Sequence, residues 1–335
     1  MKEIGQLAGV SQSTVSRILN GTPGPVRIAP ETRERVLRVV QERGYSPNPL
    51  ARGLRGARTA VIGLIVREAI DPFFAAAIGA IGVETRRRNH DVLLGSAQSR
   101  ADDAAELRWV LETRHCDGLL LVGDLYDQPR LPGDLEHLHR PVLALCVGTR
   151  AGDIPTVNTD NAAGAELALT HLWDLGHRRI AFLDADWLGD VAERRERFGS
   201  FLAERGEPPP DAYLQLGENS PSGGYRGLRA LLGLRVPPTA VFASTDVLAI
   251  GAMKAASDLG LRVPCDLSVV GFDDIPLAPF VVPSLTTVRQ PLTRMAEIAV
   301  STLLAMVDDR GYSPPAMQRL LPELIVRGSC GAPPR

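Results

Sequence analysis

The chain carries near its start, at residues 4–20, the stretch IGQLAGVSQSTVSRILN. Apolar side chains recur in it at the i, i+3, i+4 spacing of one helical face, first at Ile4, Leu7 and Ala8 and again at Val15, Ile18 and Leu19. Gly9 interrupts the pattern, and the Ser11 hydroxyl stands where it can cap a second helix. Two short helices joined by a tight glycine turn predict a helix-turn-helix motif.

The second helix of this motif keeps short or hydrogen-bonding side chains outside its apolar face. Together with the capping serine, they give the candidate DNA-binding residues Ser11, Gln12, Ser13, Thr14, Ser16, Arg17 and Asn20. Arg17 can donate a bidentate pair to guanine, and Gln12 and Ser13 stand at the helix end that meets base edges. Thr14 and Asn20 suit phosphate oxygens. A polar face turned to solvent is the alternative interpretation.

Charge is distributed unevenly along the chain. Residues 1–58 hold ten basic and four acidic side chains, a net +6, which leaves −8 on the rest of a chain whose total is −2. A basic head on an acidic body predicts that the head meets a polyanion and that the body does not. On charge alone, a solvated charged surface explains the head equally well.

A short linker-like segment follows the helix-turn-helix region. Gly44 marks the end of a third predicted helix, whose apolar side consists of Val36, Leu37, Val39 and Val40. Further on, Asn48 is a good N-cap for a helix of about two turns that contains Leu54. A helix this short is mostly unfolded alone in water, so it needs a partner. A leucine wedge in the DNA minor groove, flanked by Arg52, would supply one, and an ordinary interdomain linker is the alternative.

Composition places the chain among globular proteins. Its 335 residues are 44% hydrophobic and 23% charged, which argues against disorder. Its apolar runs are strand-sized and fall short of the roughly 20 residues that span a bilayer. The four cysteines are scattered and show no metal-binding spacing, so we expect no disulfide framework, no metal and no cofactor. The start of the chain shows no signal-peptide pattern, and we expect a cytoplasmic protein without membrane contact.

From Thr59 onward, apolar strands alternate with helical stretches. The predicted strands are Val61–Val66, Asp91–Leu94, Gly118–Val122, Pro141–Cys146, Ile180–Leu183, Thr239–Ala243 and Leu267–Phe272. This alternation predicts parallel sheets with helices on both faces. So many strand–helix units exceed one comfortable open sheet, and we therefore expect an α/β domain of two lobes.

Ligands of open α/β sheets bind beyond the carboxyl ends of the strands. Two facing lobes would therefore enclose a cleft lined by residues that directly follow strands. By this position the candidates are Asp71, Phe73, Phe74, Trp187, Asp190, Thr245, Asp246 and Asp273, with Arg194 on the next helix. Some have an ordinary structural alternative, since Asp273 and Asp160 can cap helices and Phe73 and Phe74 can belong to a lobe core.

Ordered motifs along nearly the whole chain resemble the lactose-repressor (LacI/GalR) family of regulators. In the head they are LAGVS at 7–11, TVSR at 14–17, ETR at 31–33, GY at 44–45 and PN at 47–48. In the body they are IGLI at 62–65, DPFF at 71–74, CDGL at 116–119, LGH at 175–177, SVVGFDD at 268–274 and LTT at 285–287. A chance match does not explain so many motifs in the same order as in the family.

The resemblance implies a domain plan and a partner. The small all-α helix-turn-helix headpiece would span 1–45, a hinge helix or linker 46–58, and a type I periplasmic-binding-protein-like domain for effector binding and dimerisation 59–330. Crossing between lobes three times, the chain would form an N-lobe of about 59–158 and 291–318 and a C-lobe of about 159–290 and 319–330. Such proteins bind palindromic double-stranded DNA operators as homodimers.

The resemblance also assigns roles to individual residues. Gln12 and Ser13 would select the operator sequence, Arg17 would contact guanine, and the leucines of two paired hinge helices would open the central minor-groove step. The hinge residues that would meet DNA are Asn48, Arg52 and Leu54. The positions that match ligand contacts of the family are Phe74, Asp160, Arg194, Asn219, Thr245, Asp273 and Gln290. Among these, Arg194 stands where relatives use an arginine to fork onto ligand oxygens.

The predicted cleft residues suit a small-molecule effector rich in hydroxyl groups. Carboxylates, amides, an arginine and aromatic rings together favour a sugar. Asn219 departs from the family, in which many relatives carry a stacking aromatic at that position. Arg195 and Arg197 stand where relatives usually carry apolar residues or glycine, and their charges would favour a phosphorylated or acidic ligand instead.

Nothing in the sequence points to catalysis. The six histidines form no metalloprotease motif, and we found no nucleophile elbow, P-loop or dinucleotide fingerprint. We therefore predict a transcriptional regulator, most simply a repressor, and not an enzyme. The alternatives are an exported sugar-binding module, an α/β enzyme, and a regulator that has lost control by a ligand. The first of these predicts an export signal and no helix-turn-helix, which is the reverse of what the sequence shows.

Overall fold

The computed structural model describes residues 1–20, 28–44, 58–97, 116–124, 140–148, 154–185, 189–309 and 311–334, with the backbone alone at Asn20. Within these ranges the chain divides into two compact units, Met1–Thr59 and Ala60–Arg335. The predicted hinge at 46–58 falls almost wholly outside the described residues, and so do its candidates Asn48, Arg52 and Leu54.

The described part of the first unit contains three helices, α1 (Lys2–Ala8), α2 (Gln12–Asn20) and α3 (Pro30–Glu42). Gly9 ends α1 with a left-handed φ of 66°, which glycine adopts without strain. The Ser11 hydroxyl accepts a hydrogen bond from the Thr14 N–H at 3.1 Å and so caps α2. The predicted sequence of helix, glycine turn and second helix is confirmed.

The core of the first unit consists of Ile4, Ala8, Val15, Ile18 and Val36. Two leucines that the sequence pattern assigned to apolar faces lie outside it, since Leu7 is 47% exposed and Leu37 is 42% exposed. Each adjoins a fully buried residue in the chain, and successive residues of a helix point about 100° apart. The prediction was wrong for these two side chains because the core covers a narrower stripe than the apolar pattern.

The second unit contains two mostly parallel sheets, each of six strands within the described residues. The strands are β1 (Val61–Val66), β2 (Asp91–Ser96), β3 (Gly118–Val122), β4 (Val142–Leu145), β5 (Thr156–Thr159), β6 (Ile180–Ala185), β7 (Leu214–Gly217), β8 (Ala240–Ala243), β9 (Ser268–Asp273), β10 (Thr286–Arg289), β11 (Met317–Leu320) and β12 (Glu323–Ile325). Their orders are β11-β5-β4-β3-β1-β2 and β12-β10-β9-β8-β6-β7. Only β12, which runs antiparallel to β10, departs from parallel pairing among the described strands.

Helices separate the strands along the chain, as the alternating pattern predicts. They are α4 (Pro72–Arg87), α5 (Asn161–Asp174), α6 (Gly189–Glu204), α7 (Pro221–Leu232), α8 (Asp246–Asp258) and α9 (Leu292–Asp308). Strands inside the sheets, such as β3 and β8, are buried along their whole length, which is why they form continuous apolar runs in the sequence. None of the described helices combines the length and apolar character needed to cross a membrane.

The chain passes three times between the two sheets. It leaves the first sheet after β5, returns from β10 into α9, which packs on β3 and β4, and crosses for the last time between β11 and β12. These crossings divide the second unit into two lobes. Strand β11 extends to Leu320, past the predicted boundary at 318, because residues 317–320 pair in register with β5.

Helices α7 and α8 of the second lobe pack with their backbones in contact. A Cβ on Gly224 of α7 would overlap the Leu248 carbonyl, and a Cβ on Gly251 of α8 would overlap the Pro221 carbonyl. Glycine at both positions lets the two helices approach more closely than larger residues would allow. Since both helices begin just after strands, this contact also fixes the position of the loops from which they start.

Replacing Gly251 by alanine is expected to lower the free energy of unfolding by about 1–3 kcal/mol, because the added methyl group overpacks the helix contact. Gly199→Ala in α6 is the matched control, since a Cβ there meets nothing within 4 Å. That exchange should be neutral or stabilise by up to about 1 kcal/mol, because alanine has less freedom to lose on folding. Urea denaturation measures both, and equal effects would contradict the close contact.

Candidate nucleic-acid-reading helix and ligand cleft

The N-terminal end of α2 presents polar groups outward. Gln12 and Ser13 are exposed, and Arg17 lies half-buried further along the helix. The Ser11 hydroxyl lies 2.7 Å from the Ser13 hydroxyl and 2.8 Å from that of Thr14, so three hydroxyl groups cluster at the start of the helix. A helix that enters a major groove reads bases from this end, and the arrangement fits that use.

The carboxyl ends of strands in the second lobe converge on the guanidinium of Arg194, on α6. The residue is 1% exposed. Its Nε donates to Asn161 Oδ1 at 2.9 Å, one terminal nitrogen donates to the Ser244 carbonyl at 2.5 Å, and the other donates to Asp190 Oδ2 at 3.0 Å. The Phe272 ring lies with its centroid 3.6 Å from the guanidinium carbon. Hydrogen bonds, a carboxylate and a ring face together compensate the buried charge.

Asp273 connects this arginine to the segments that cross between the lobes. Its carboxylate lies 3.8 Å from an Arg194 nitrogen and accepts a hydrogen bond from Gln290 Nε2 at 2.8 Å. Gln290 Oε1 in turn accepts from the Thr159 hydroxyl at 2.6 Å. Asp273 has a φ of 122°, a strained value for a residue other than glycine. Strain of this kind is often found at functional sites, where the surrounding structure holds it in place.

A row of hydrogen bonds runs across the cleft through Asp71, Asn219 and Thr245. Asn219 Nδ2 donates to Asp71 Oδ2 at 3.0 Å, and the Thr245 hydroxyl donates to Asn219 Oδ1 at 2.8 Å. Asp71 also caps α4, and Thr245 caps α8. Because Asp71 belongs to the first lobe and the other two residues to the second, the two lobes are in direct contact here.

Several other predicted ligand residues have a structural place in the fold. Phe73 and Phe74 are each 6% exposed and pack edge to face in the hydrophobic core, with ring centroids 5.3 Å apart. Asp160 accepts a backbone hydrogen bond in the first turn of α5 and so caps that helix. Trp187 lies outside the described residues. The structural alternatives noted for the phenylalanines and for Asp160 are therefore realised, whatever further contacts these side chains make.

Asp246 lies behind the wall of the cleft. None of its surface is exposed, and its two carboxylate oxygens accept hydrogen bonds from the Thr287 hydroxyl and from the Ile275 N–H. Thr245 and Asp246 are neighbours in the chain, yet the first contacts Asn219 at the cleft and the second points into the protein. Both residues were candidates because they follow a strand. This position does not show how deeply a side chain is buried.

Sequence reasoning overlooked three residues of this region. Asp124 follows β3 and Cys146 follows β4, which is the same relation to a strand by which Asp71 was selected. Cys146 is buried with a φ of 53°, and burial raises the pKa of its thiol so that it stays protonated. Applying the strand-end rule to every strand would have found both. No sequence signal pointed to Asn161, which holds Arg194.

The two additional arginines of α6 are paired with acids of the second lobe. Arg195 contacts Asp184 at 2.7 Å, and Arg197 contacts Glu166 at 2.5 Å and Glu204 at 2.7 Å. Each of these charges is therefore already compensated by a carboxylate. Neither cation therefore favours a phosphorylated or acidic ligand, as the sequence had suggested.

Buried carboxylates dominate the electrostatics of the cleft. Burial raises the pKa of Asp71, of Asp190 and of Asp273 above their usual range, although Arg194 acts in the opposite direction on the last two. The ionised forms are thus incompletely compensated, and a ligand that donates hydrogen bonds would stabilise them. In the part of the chain that the structure describes, no three His, Cys, Asp or Glu side chains are grouped so that they could hold a metal ion.

Comparison with known proteins finds two family matches in the chain. Residues 1–48 match the model of bacterial regulatory proteins of the lacI family, and residues 169–330 match that of a periplasmic binding protein-like domain. The HTH-type transcriptional repressor PurR of Erwinia tasmaniensis is 33% identical over 331 residues, which cover 98% of this chain and 96% of that protein.

Two solved structures match over 98% of this chain and 98% of their own. The lac repressor dimer bound to operator and the anti-inducer ONPF is 27% identical with a TM-score of 0.85. The complex of the transcriptional regulator CelR with cellobiose is 28% identical with a TM-score of 0.74.

The helix-turn-helix unit and the two-lobed cleft define a DNA-binding transcriptional regulator controlled by a small-molecule effector. The chain belongs to the lacI family of bacterial regulatory proteins. The predicted fold class and the predicted class of function are confirmed.

The buried Asp246 makes the stability of the protein depend on pH. Burial raises its pKa from a usual value of 3.8 to about 7, so the folded state holds a proton that the unfolded chain releases. The stability from this group is fully present below about pH 4 and is lost as the pH rises to about 7. Asp246→Asn should remove the contribution of this group and so make the pH dependence shallower, as measured by urea denaturation between pH 4 and 8.

The exposed Asp211 provides the control for this measurement. Asp211→Asn makes the same chemical exchange at an exposed side chain, so the comparison of the two variants isolates the contribution of the buried carboxylate. If the profiles of Asp246→Asn and wild type ran parallel between pH 4 and 7, the assignment of the slope to Asp246 would be wrong.

Proposed function

We propose that this regulator represses transcription as a homodimer on a palindromic operator, and that an uncharged, hydroxyl-rich molecule such as a sugar binds its cleft. The observation that carries the proposal is the buried Arg194 among the oxygen acceptors Asp190, Asn161 and Asp273. A guanidinium has five N–H donors, and described partners engage one on each of its three nitrogens. Donors and acceptors set side by side in this way are what a hydroxyl group requires.

The charge of the cleft supports a neutral ligand over an anionic one. Asp71 and Asp273 are buried carboxylates and Asp190 is a partly buried one, and each gains from a ligand hydroxyl that donates to it. A phosphate group would face these carboxylates, while Arg195 and Arg197 are already paired with other acids. The related regulator CelR was solved with a sugar, cellobiose.

The headpiece proposal assigns base reading to α2. Gln12 and Ser13 would contact base edges, and Arg17 would bind guanine. Thr14 and Asn20 would contact phosphates. The hinge at 46–58 would fold on the operator, with Leu54 wedged in the minor groove, Arg52 beside it and Asn48 also in contact with DNA. The lac repressor solved as a dimer on its operator supports this mode of binding.

Exposed apolar side chains on the second unit are candidates for the dimer contact. On the first lobe, Val83 of α4 is 51% exposed and Leu94 of β2 is 46% exposed. On the second lobe, Leu277, Phe280 and Val282 are exposed by 56%, 79% and 94%. Several large apolar side chains exposed in this way favour an interface, and a second copy of the chain is the occupant that the family implies.

A ligand in the cleft can control operator binding through only a modest coupling free energy between the two sites. A ligand that favours one arrangement of the lobes, and through it one spacing of the two hinges, changes operator affinity about 5- to 150-fold for a coupling of about 1–3 kcal/mol. We propose binding without turnover, so that the ligand leaves the protein chemically intact.

Arg17→Ala is expected to weaken binding to a palindrome selected from random DNA by about 1–3 kcal/mol, and to relax the preference at one base position. Fluorescence anisotropy with selected and scrambled duplexes measures both effects, and affinity should fall as salt rises because phosphate contacts release counterions. Arg262→Ala, an exposed arginine of the body, is the control and should bind as wild type does. Loss of affinity for scrambled DNA alone would contradict base reading by Arg17.

Neutral mono- and disaccharides, including cellobiose, should raise the melting temperature of the protein more than the corresponding sugar 6-phosphates do, because the cleft is lined by carboxylates. Thermal unfolding against such a panel measures this, and mass spectrometry of the recovered ligand checks that it is intact. Arg194→Lys, which loses the planar fork, should reduce the shift. Stronger binding of a sugar phosphate would contradict the neutral-ligand proposal, and no shift with any compound would favour a regulator without ligand control.

A further inference from the structure

We infer that Asp71 and Asn219 form a latch that holds the two lobes together and couples their closure to operator binding. The inference rests on the proposed role of the cleft in controlling DNA binding. Asp71 follows β1 in the first lobe, and Asn219 precedes α7 in the second. A hydrogen bond of 3.0 Å from Asn219 Nδ2 to Asp71 Oδ2 joins them over 148 positions of the chain.

Each side chain of the latch is anchored at the start of a helix. Asp71 Oδ1 accepts hydrogen bonds from the backbone N–H groups of Phe73 and Phe74 at 2.8 and 3.3 Å, so its carboxylate cannot turn away without uncapping α4. Asn219 Oδ1 accepts from the hydroxyl of Thr245, which caps α8. Because both ends are fixed to helices, a bond between the two side chains is also a bond between the lobes.

A second contact between the lobes lies where α6 begins. A Cβ on Gly189 would overlap the carboxylate of Asp124, which follows β3. A Cβ on Gly148, which lies beyond β4, would come within 2.9 Å of the Gly189 Cα. Glycines at this point let the lobes approach backbone to backbone, so the latch acts together with a close steric contact.

Because Asp71 is buried, losing the hydrogen bond of the latch costs free energy. Asp71 is 8% exposed, and a buried carboxylate that loses a hydrogen-bond donor is destabilised far more than one in water. A ligand that separates the pair must therefore bring a donor of its own to Asp71. Hydroxyl and amine groups can do so, whereas a phosphate or carboxylate group cannot.

Neighbouring charges make the neutral asparagine necessary. Burial, the charge of Asp71 and that of Glu218 all raise the pKa of Glu68, and Arg67 offsets part of the effect. Acids of both lobes thus meet around the latch. A carboxylate in place of the Asn219 amide would face Asp71 directly and repel it, so the amide donor is what allows the lobes to close at this point.

Exchanging the two partners tests the latch. Asn219→Asp puts two carboxylates face to face and should open the contact. Combining it with Asp71→Asn restores a donor opposite an acceptor with the roles reversed, and asparagine caps a helix about as well as aspartate does. Asp71→Asn alone is the control for the cap, since it keeps α4 capped and loses the hydrogen bond of the latch without placing two charges face to face.

Hydrogen exchange of the full-length protein, followed by mass spectrometry, measures the contact directly. In Asn219→Asp the amides of 71–75 and 219–224 should exchange about tenfold faster than in wild type, and in the double variant they should return to within about twofold. The Kd for the selected operator should change about fivefold or more in Asn219→Asp and return in parallel. A residue that matters for stability alone would not move the operator Kd of the folded protein.

Unchanged exchange in Asn219→Asp overturns the latch, and so does a double variant that is no better protected than Asn219→Asp. If Asn219→Asp does not fold, a folded and protected double variant still supports the pairing, and an unfolded one overturns it. A wild-type protein without operator preference would contradict the proposed function, but the exchange measurement would still decide whether the lobes are joined at this pair.

Discussion

A buried guanidinium charge constrains the second lobe more than any other group. Arg194 is held by Asn161 at the start of α5, Asp190 on α6, the Ser244 carbonyl after β8 and the ring of Phe272 in β9. A charge removed from water is stable only where such partners surround it, and the loss of one partner leaves the others uncompensated. The ends of these elements must therefore meet at one point, which is the floor of the cleft.

The side chains around this point combine two tasks. Asp71 and Thr245 cap helices, and the same two residues form the row of hydrogen bonds across the cleft through Asn219. A ligand that binds here acts on groups that also hold helix ends in place, so recognition and lobe geometry share the same bonds. Asp273 extends this coupling to the crossing segments through Gln290.

The two units of the chain differ in charge as well as in fold. Residues 1–58 carry +6 and the remainder −8, which suits a head that binds DNA and a body that does not. In the head, polar groups gather at the N-terminal end of α2, while its core is restricted to a few side chains from three helices. In the body, the carboxylates of Asp71, Asp190 and Asp273 lie at the cleft, where they would favour a ligand with hydroxyl donors over an anionic one.

Local patterns in the sequence determined the kinds of elements and their order. The spacing around Gly9 and the cap at Ser11 specified the helix-turn-helix, and the alternation after Thr59 specified two parallel sheets, because both depend on neighbours a few residues apart. The tertiary structure alone decided how deeply each side chain is buried and which partner it contacts. Thr245 contacts the cleft and the adjacent Asp246 does not, and Asp71 meets Asn219, because packing between distant segments sets how far a side chain lies from water and which partner it reaches.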